Sequence, residues 1–169
     1  MNDMSLKDIE IEVNKLAKVI RAPGDELPTY GYSRDFAYPH IEVDDHGYHY
    51  VVIERGQERE RKTTQDVDEL LYWIFDSVTF SMALKYELRH RIRKKDSRRM
   101  HFEKQEELLG KLHPEWEEKA KEEHLSILKE HPFDDLAGVR ATYCGKLRKK
   151  GLSESEIDRI ACEKYPMSK

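Results

Sequence analysis

Histidines and carboxylates crowd one short stretch of the chain. His40, His46 and His49 occur within ten residues, and Asp44 and Asp45 lie among them. Imidazole nitrogens and carboxylate oxygens are ligands of zinc and other divalent cations. Structural zinc sites use recurring ligand spacings, and this stretch matches none of them, because His40 and His46 flank opposite ends of one predicted strand. We therefore predict no metal site and no cofactor.

The same stretch suits a second chemistry, that of a metal-dependent hydrolase. Two carboxylates on adjacent strands, such as Asp44 and Glu54, can hold Mg²⁺. Asp44, however, lies at a predicted turn, and the pair Glu54 and Arg55 lacks the intervening residue and the lysine of the nuclease pattern. A hydrolase with a site around His40, Asp44 and Glu54 stays an alternative that enzymatic turnover would support.

The two cysteines do not indicate nucleophilic catalysis. Cys144 and Cys162 lie on predicted helices, with no base or orienting group in a neighbouring motif. No glycine-rich phosphate loop is present either. Two cysteines form no disulfide framework and suit a reducing cytosol. We predict that the chain is not an enzyme and that it resides in the cytoplasm.

Basic residues are concentrated in residues 89–99, where Asp96 is the single acid. Such a stretch could grip phosphates, and the last two predicted helices could form a helix-turn-helix pair. The whole chain, however, carries a net charge of −4, and the last helix begins with acidic residues that suit a DNA groove poorly. A solvated helix end explains the basic stretch as well. A nucleic-acid-binding regulator is therefore an alternative, and nucleic acid is not the expected partner.

Aromatic residues cluster between residues 30 and 50. Tyrosine combines a large contact area with a hydrogen-bonding hydroxyl, which explains its enrichment at protein interfaces. Tyr48 and Tyr50 share one strand face, because side chains alternate along a strand. The rings could equally pack this segment onto a sheet, and the sequence leaves both interpretations open. The cluster consists of Tyr30, Tyr32, Phe36, Tyr38, Tyr48 and Tyr50.

The elements that must position these residues are predicted to form an α+β fold. Ser5 and Asp8 resemble a capping box, and apolar residues then recur at helical spacing up to Ile20. Strands are predicted over residues 40–43, 48–53 and 58–62, and the last is wholly charged, as suits an exposed edge. Helices are predicted over about 66–88, 97–112, 114–131 and 134–149, and from Ser153 onward.

The predicted architecture is an N-terminal helix, a small three-stranded antiparallel meander, and a mainly helical C-terminal two-thirds packed on it. A length of 169 residues favours one domain over residues 1–169, with the helix and sheet in 1–63 and the helical part in 64–169. The N-terminus shows no signal peptide. The longest apolar stretch, residues 70–82, contains Asp76 and is too short to span a membrane, so no membrane partner is expected.

Several segments resemble a known family. They are residues 27–33 (LPTYGYS), 39–44 (PHIEVD), 47–56 (GYHYVVIERG), 68–73 (DELLYW) and 105–110 (QEELLG). Together they are similar to immunity protein family sixty-three of bacterial polymorphic toxin systems, and the resemblance extends over about residues 5–135. It implies a protein, not an enzyme, that is made beside a secreted toxin and binds that toxin so that the producing cell survives.

The resemblance supplies no toxin-contacting residues, so these must come from the chain itself. Tight inhibitors combine aromatic anchors with charges that speed association. We therefore expect the aromatic segment and the following hairpin to contact a cognate toxin protein. The predicted partner-binding residues are Tyr30, Tyr32, Tyr38, Glu42, Asp44, Asp45, Tyr48 and Tyr50.

Overall fold

The computed structural model describes residues 4–168 and contains six α-helices, one short 3-10 helix (Gly24–Glu26) and four strands. The helices are α1 (Leu6–Ile20), α2 (Val67–His90), α3 (Ser97–Leu112), α4 (Pro114–Glu130), α5 (Ala137–Arg148) and α6 (Glu154–Lys164). The strands are β1 (Thr29–Tyr30), β2 (Tyr38–Asp44), β3 (Gly47–Glu54) and β4 (Gln57–Thr64). The α+β class predicted from the sequence is confirmed.

The sheet has four strands in the order β1-β2-β3-β4, so the prediction of three strands is wrong. The three predicted strands exist, and both of their pairings are antiparallel. The additional strand, β1, pairs in parallel with the edge of β2, where Thr29 lies opposite His40. The amide of Gly31 extends this pairing by donating to the carbonyl of Ile41 at 2.8 Å. Two residues are too few to show a sequence alternation, so only the tertiary pairing reveals this strand.

The first helix begins and ends for local reasons. Ser5 accepts a hydrogen bond from the amide of Asp8, whose carboxylate accepts one from the amide of Ser5, so the predicted capping box is present. The helix ends at Arg21, which adopts the left-handed conformation of a C-terminal cap. The buried face of α1 carries Ile9 and Val13, which are fully enclosed.

The described chain divides into two compact units. The sheet unit comprises the residues up to Met82 together with Gln105–Ala120. The helical unit comprises Ala83–Lys104 together with the residues from Lys121 onward. The expectation that residues 1–169 form one domain therefore stays a prediction, and each unit is described separately below.

The sheet unit contains one hydrophobic core. Side chains from α1, β2, β3 and the first half of α2 meet in it, with Phe75 fully buried near its centre. Trp116 at the start of α4 stacks on Phe75, with ring centroids 6.0 Å apart, and its indole nitrogen donates to Asp68 at 3.3 Å. Burial of such large apolar side chains is the main favourable term in folding.

The helical unit has a smaller and more polar interior. Phe102 stacks on His124 with ring centroids 3.9 Å apart. The carboxylate of Glu87 is almost wholly buried and accepts two hydrogen bonds of 2.8 Å from Arg91. Ile157 and Ala161 are the buried residues of α6. No helix among residues 4–168 is both long and apolar enough to cross a bilayer.

Candidate functional site

Two of the eight predicted contact residues are core residues. Tyr48 is 5% exposed and Tyr50 is 6% exposed, and both rings belong to the buried cluster of the sheet unit. The hydroxyl of Tyr48 accepts a hydrogen bond of 2.9 Å from the amide of Met4. Burial raises the pKa of Tyr50. These two rings fix the position of β3 and present no face to a partner in this structure.

Tyr30 and Tyr38 are half-buried and fasten the segment that precedes β2. Burial raises the pKa of the Tyr30 phenol, whose oxygen lies in the interior. The Tyr38 hydroxyl lies 2.6 Å from the carbonyl of Leu27 and also reaches the carbonyl of Asp25. The Arg34 guanidinium lies 4.5 Å from the centre of the Tyr38 ring. These contacts hold the intervening residues against the sheet.

Those intervening residues, 31–37, form the aromatic loop. Its two rings face solvent, since Tyr32 is 62% exposed and Phe36 is 91% exposed. Phe36 stands in the middle of three consecutive non-glycine residues with positive φ, at 59° for Asp35, 57° for Phe36 and 58° for Ala37. The left-handed conformation costs an L-residue about 1–2 kcal/mol. The residue that carries the exposed Phe36 ring therefore has an unfavourable backbone conformation.

Hydrogen bonds around Asp35 stabilise this conformation. Its carboxylate accepts from the amide of Phe36 at 2.8 Å and from the amide of Gly56, in the β3–β4 turn, at 3.0 Å. The amide of Ala37 donates to the carbonyl of Ile53 at 2.9 Å. Strained backbone persists only where its surroundings determine it from several sides. The hydrogen bonds thus fix the backbone of the aromatic loop at Phe36.

The hairpin of β2 and β3 carries charged side chains, and Asp44 and Asp45 lie at its turn, the end of β2 opposite the aromatic loop. A hydrogen bond of 2.8 Å from Arg61 lowers the pKa of Glu42. Hydrogen bonds from His49, and from the backbone of His46, lower the pKa of Asp44. Both groups are therefore carboxylates near neutral pH. Asp45 is exposed at the turn, and within residues 4–168 no ion pair engages it.

Polar groups of the sheet surround the histidines of the hairpin. The Nε2 atom of His40 lies 2.9 Å from Glu42, and Nδ1 of His49 lies 2.8 Å from the Thr63 hydroxyl. Nε2 of His49 lies 2.8 Å from Asp44, whereas His46 is exposed at 3.6 Å from the same carboxylate. Across residues 4–168, no group of three or more histidine, cysteine, aspartate or glutamate side chains is arranged to hold a metal ion.

Most arginines of the basic stretch have structural partners. Arg91 pairs with Glu87, Arg98 with Asp96 and Arg99 with Asp135, each at 2.8 Å. These three arginines therefore have a structural role, because they stabilise the end of α2, the start of α3 and the loop between them. Arg93 and Lys94 are exposed, and the described residues offer them no ion pair. Cys144 and Cys162 are free and half-buried.

One comparison with known protein families finds a match to the middle of the chain. A family model described as immunity protein 63 matches residues 44–126. This part covers 83 of the 169 residues and is similar to the immunity protein 63 family. The immunity protein 63 segment runs from the end of β2 to within α4. No curated protein and no solved structure matches the chain.

The immunity protein 63 segment includes Asp44 and Asp45 but not the aromatic loop. Phe36, the most exposed large apolar side chain described, was part of the aromatic cluster seen in the sequence but not of the eight predicted contact residues. Its exposure depends on a left-handed backbone that lacks glycine, so no residue-type signal marks it. Clustering with Tyr32 is the one sequence feature that pointed to it.

Proposed function

We propose that this chain binds a cognate bacterial toxin and neutralises it by protein–protein contact, without a catalytic site of its own. The observation that carries this proposal is the match of residues 44–126 to the immunity protein 63 family. An inhibitor of this kind needs a rigid scaffold and an accessible, preorganised surface. The cytoplasm of the producing cell is the compartment where such protection is needed.

The aromatic loop is the proposed anchor of the toxin interface. Aromatic side chains dominate binding energy when they enter a pocket of the partner and lose contact with water. A side chain that is already held in its binding position loses little conformational entropy on association. The Phe36 ring faces solvent, and hydrogen bonds around Asp35 fix the backbone that carries it. Tyr32 adds a second exposed ring.

The hairpin carboxylates are the proposed charged rim of this interface. Glu42, Asp44 and Asp45 suit a basic patch on the toxin, and rim charges mainly raise the association rate. The half-buried Tyr30 and Tyr38 support the loop, whereas Tyr48 and Tyr50 support the hairpin from the core. In this proposal the eight residues act together, four as contacts and four as supports.

Co-expression with the product of a neighbouring toxin-like gene tests the function. We expect the two chains to purify as one complex and the toxin to lose its activity in that complex. Separate elution of the chains, with the toxin still active, would show that this pair is not a toxin and its inhibitor.

Substitution of Phe36 tests the surface. Phe36→Ala should weaken the complex about 100-fold, which corresponds to roughly 2–3 kcal/mol for an aromatic anchor. The free energy of unfolding should stay nearly unchanged, because the ring makes few contacts in the free protein. Val19→Ala removes an exposed aliphatic side chain from α1 and serves as the control. A complex that tolerates Phe36→Ala as well as Val19→Ala would place the interface elsewhere.

A further inference from the structure

The helical unit contains a groove whose lining residues are not part of the proposed toxin interface. The basic groove is a cavity of about 800 Å³, lined by residues 91–98 on one side and by residues of α5 on the other. Sites for small molecules and peptide side chains commonly have volumes of this order. All of its lining residues belong to the helical unit.

The loop that forms one wall of the groove is fixed by a network around Asp96. The Asp96 side chain is 8% exposed and accepts from Arg98 at 2.8 Å and from the amide of Asp134 at 2.8 Å. The amide of Asp96 donates to the Asp135 carboxylate at 2.8 Å. Arg98 also donates to the carbonyls of His131 and Pro132. This wall is therefore ordered before any ligand arrives.

The charges that line the groove divide into paired and unpaired groups. The three carboxylates are engaged, because Asp96 pairs with Arg98, Asp134 with Arg140 and Asp135 with Arg99. Three cations have no ion pair among residues 4–168, and they are Arg93, Lys94 and Lys146. Lys94 has a φ of 59°, a conformation that is uncommon for non-glycine residues.

Apolar side chains lie beside these cations. Ile92 is 57% exposed within the groove, and Val139 and Tyr143 of α5 are half-buried there. A large exposed aliphatic side chain next to unpaired cations suits a ligand that is both acidic and apolar. A peptide fits this combination better than a phosphate backbone does, because it can place carboxylates opposite the cations and an aliphatic side chain on Ile92.

We propose that the basic groove binds an acidic, partly apolar segment of a partner protein. Carboxylates of that segment pair with Arg93, Lys94 and Lys146, and an apolar side chain packs on Ile92 and Val139. Charge complementarity selects the segment, and the prearranged loop lowers the entropic cost of binding it. This inference does not depend on the proposed function, because it concerns a different surface.

Selection from a library of random short peptides, displayed on phage, tests the proposal on the full chain. Selected peptides should be rich in aspartate and glutamate and should contain aliphatic residues. The double variant Lys94→Glu, Lys146→Glu should weaken the binding of a selected peptide at least about tenfold. The variant Lys129→Glu, Lys150→Glu makes the same charge change outside the groove and should bind the peptide as the parent does.

Three results would overturn the proposal. The first is the absence of acidic peptides among those selected. The second is equal weakening by the two double variants, which would indicate an effect of net charge alone. The third is tighter binding of a single-stranded oligonucleotide than of the selected peptide at equal salt, which would assign the groove to nucleic acid. Folding of each variant is checked by circular dichroism.

Discussion

Asp96 shows how a single buried carboxylate organises a surface. Burial alone would raise its pKa, but hydrogen bonds from the Arg98 side chain and from the amides of Asp134 and Arg98 outweigh burial and lower the pKa to about 2. The charged form is thus strongly favoured in the folded chain. Because the same contacts order the wall of the basic groove, the charge state of Asp96 is linked to the stability of that wall.

We expect this link to appear as a pH dependence of stability. The carboxylate has a pKa of about 3.8 when unperturbed and about 2 when folded, so its contribution is complete above about pH 4. It is lost as the pH falls from about 4 through about 2. Asp96→Asn should lower the free energy of unfolding by roughly 2 kcal/mol near pH 7 and by much less near pH 2.

Urea unfolding of the parent and of Asp96→Asn across this pH range measures the effect. Asp158→Asn, at an exposed position of α6, is the control and should behave as the parent at every pH. A difference between parent and Asp96→Asn that stays constant down to about pH 2 would mean that the lost stability does not come from the carboxylate charge.

Residue types predicted some of the candidate site and not the rest. Alternation placed Tyr48 and Tyr50 on one face of β3, but four consecutive residues of that strand are buried, so alternation alone did not tell the core face from the outer one. Phe36 shows the opposite case, since an apolar residue type favours burial and the fold exposes it. In both cases the tertiary packing around the residue decides its role.

Among the elements, the hairpin of β2 and β3 depends on one glycine. Gly47 has a φ of 124°, and a Cβ atom built there lies 2.4 Å from the carbonyl oxygen of Thr64. Backbone atoms on β4 cannot withdraw as a flexible side chain would. The close approach of β4 to the start of β3 therefore requires the absence of a side chain at this position.

Substitution of glycines by alanine should reveal this requirement. Gly47→Ala should destabilise the protein by roughly 2–4 kcal/mol, because strain and overlap add. Gly56→Ala should cost about 1 kcal/mol, since its φ is 70° but the space around it is open. Gly24→Ala, without a positive φ or a close contact, should have little effect. Thermal unfolding ranks the three variants by stability. Equal destabilisation at Gly47 and Gly56 would mean that overlap with Thr64 contributes nothing.

Most element boundaries were predictable because their signals are local. The capping boxes at Ser5 and Ser153 mark the starts of α1 and α6, and Pro114 marks the start of α4. β1 lacked such a signal, because its pairing with β2 is set by the tertiary fold. The helix predicted from Asp134 begins instead at Ala137, since Asp134 pairs with Arg140 and accepts from the amide of Leu136.

At the scale of the whole chain, buried apolar side chains are unevenly distributed. The core of the sheet unit includes fully enclosed residues from α1, β2, α2 and α3. By contrast, α5 buries Leu147 alone, and α6 buries Ile157 and Ala161. Segments with few buried contacts open with smaller free energies than the core of the same protein.

Hydrogen exchange should resolve this difference. We expect amides of β3 and of the middle of α2 to be protected by several kcal/mol, and those of α5 and α6 by less. Ile157→Ala should accelerate exchange further in α5 and α6, because it leaves a cavity in their shared interior. Equal protection throughout would instead support the single domain predicted from the sequence.

The charged outer strand has a consequence for the protein in a crowded cell. β4 is exposed along nearly all of its eight residues and forms one margin of the sheet, where alternating glutamates, arginines and lysine discourage another strand from adding. A protein with such an edge strand can accumulate to a high concentration without aggregating through its sheet. The proposed function requires this property, because a toxin inhibitor must already be in excess when the first toxin molecule is made.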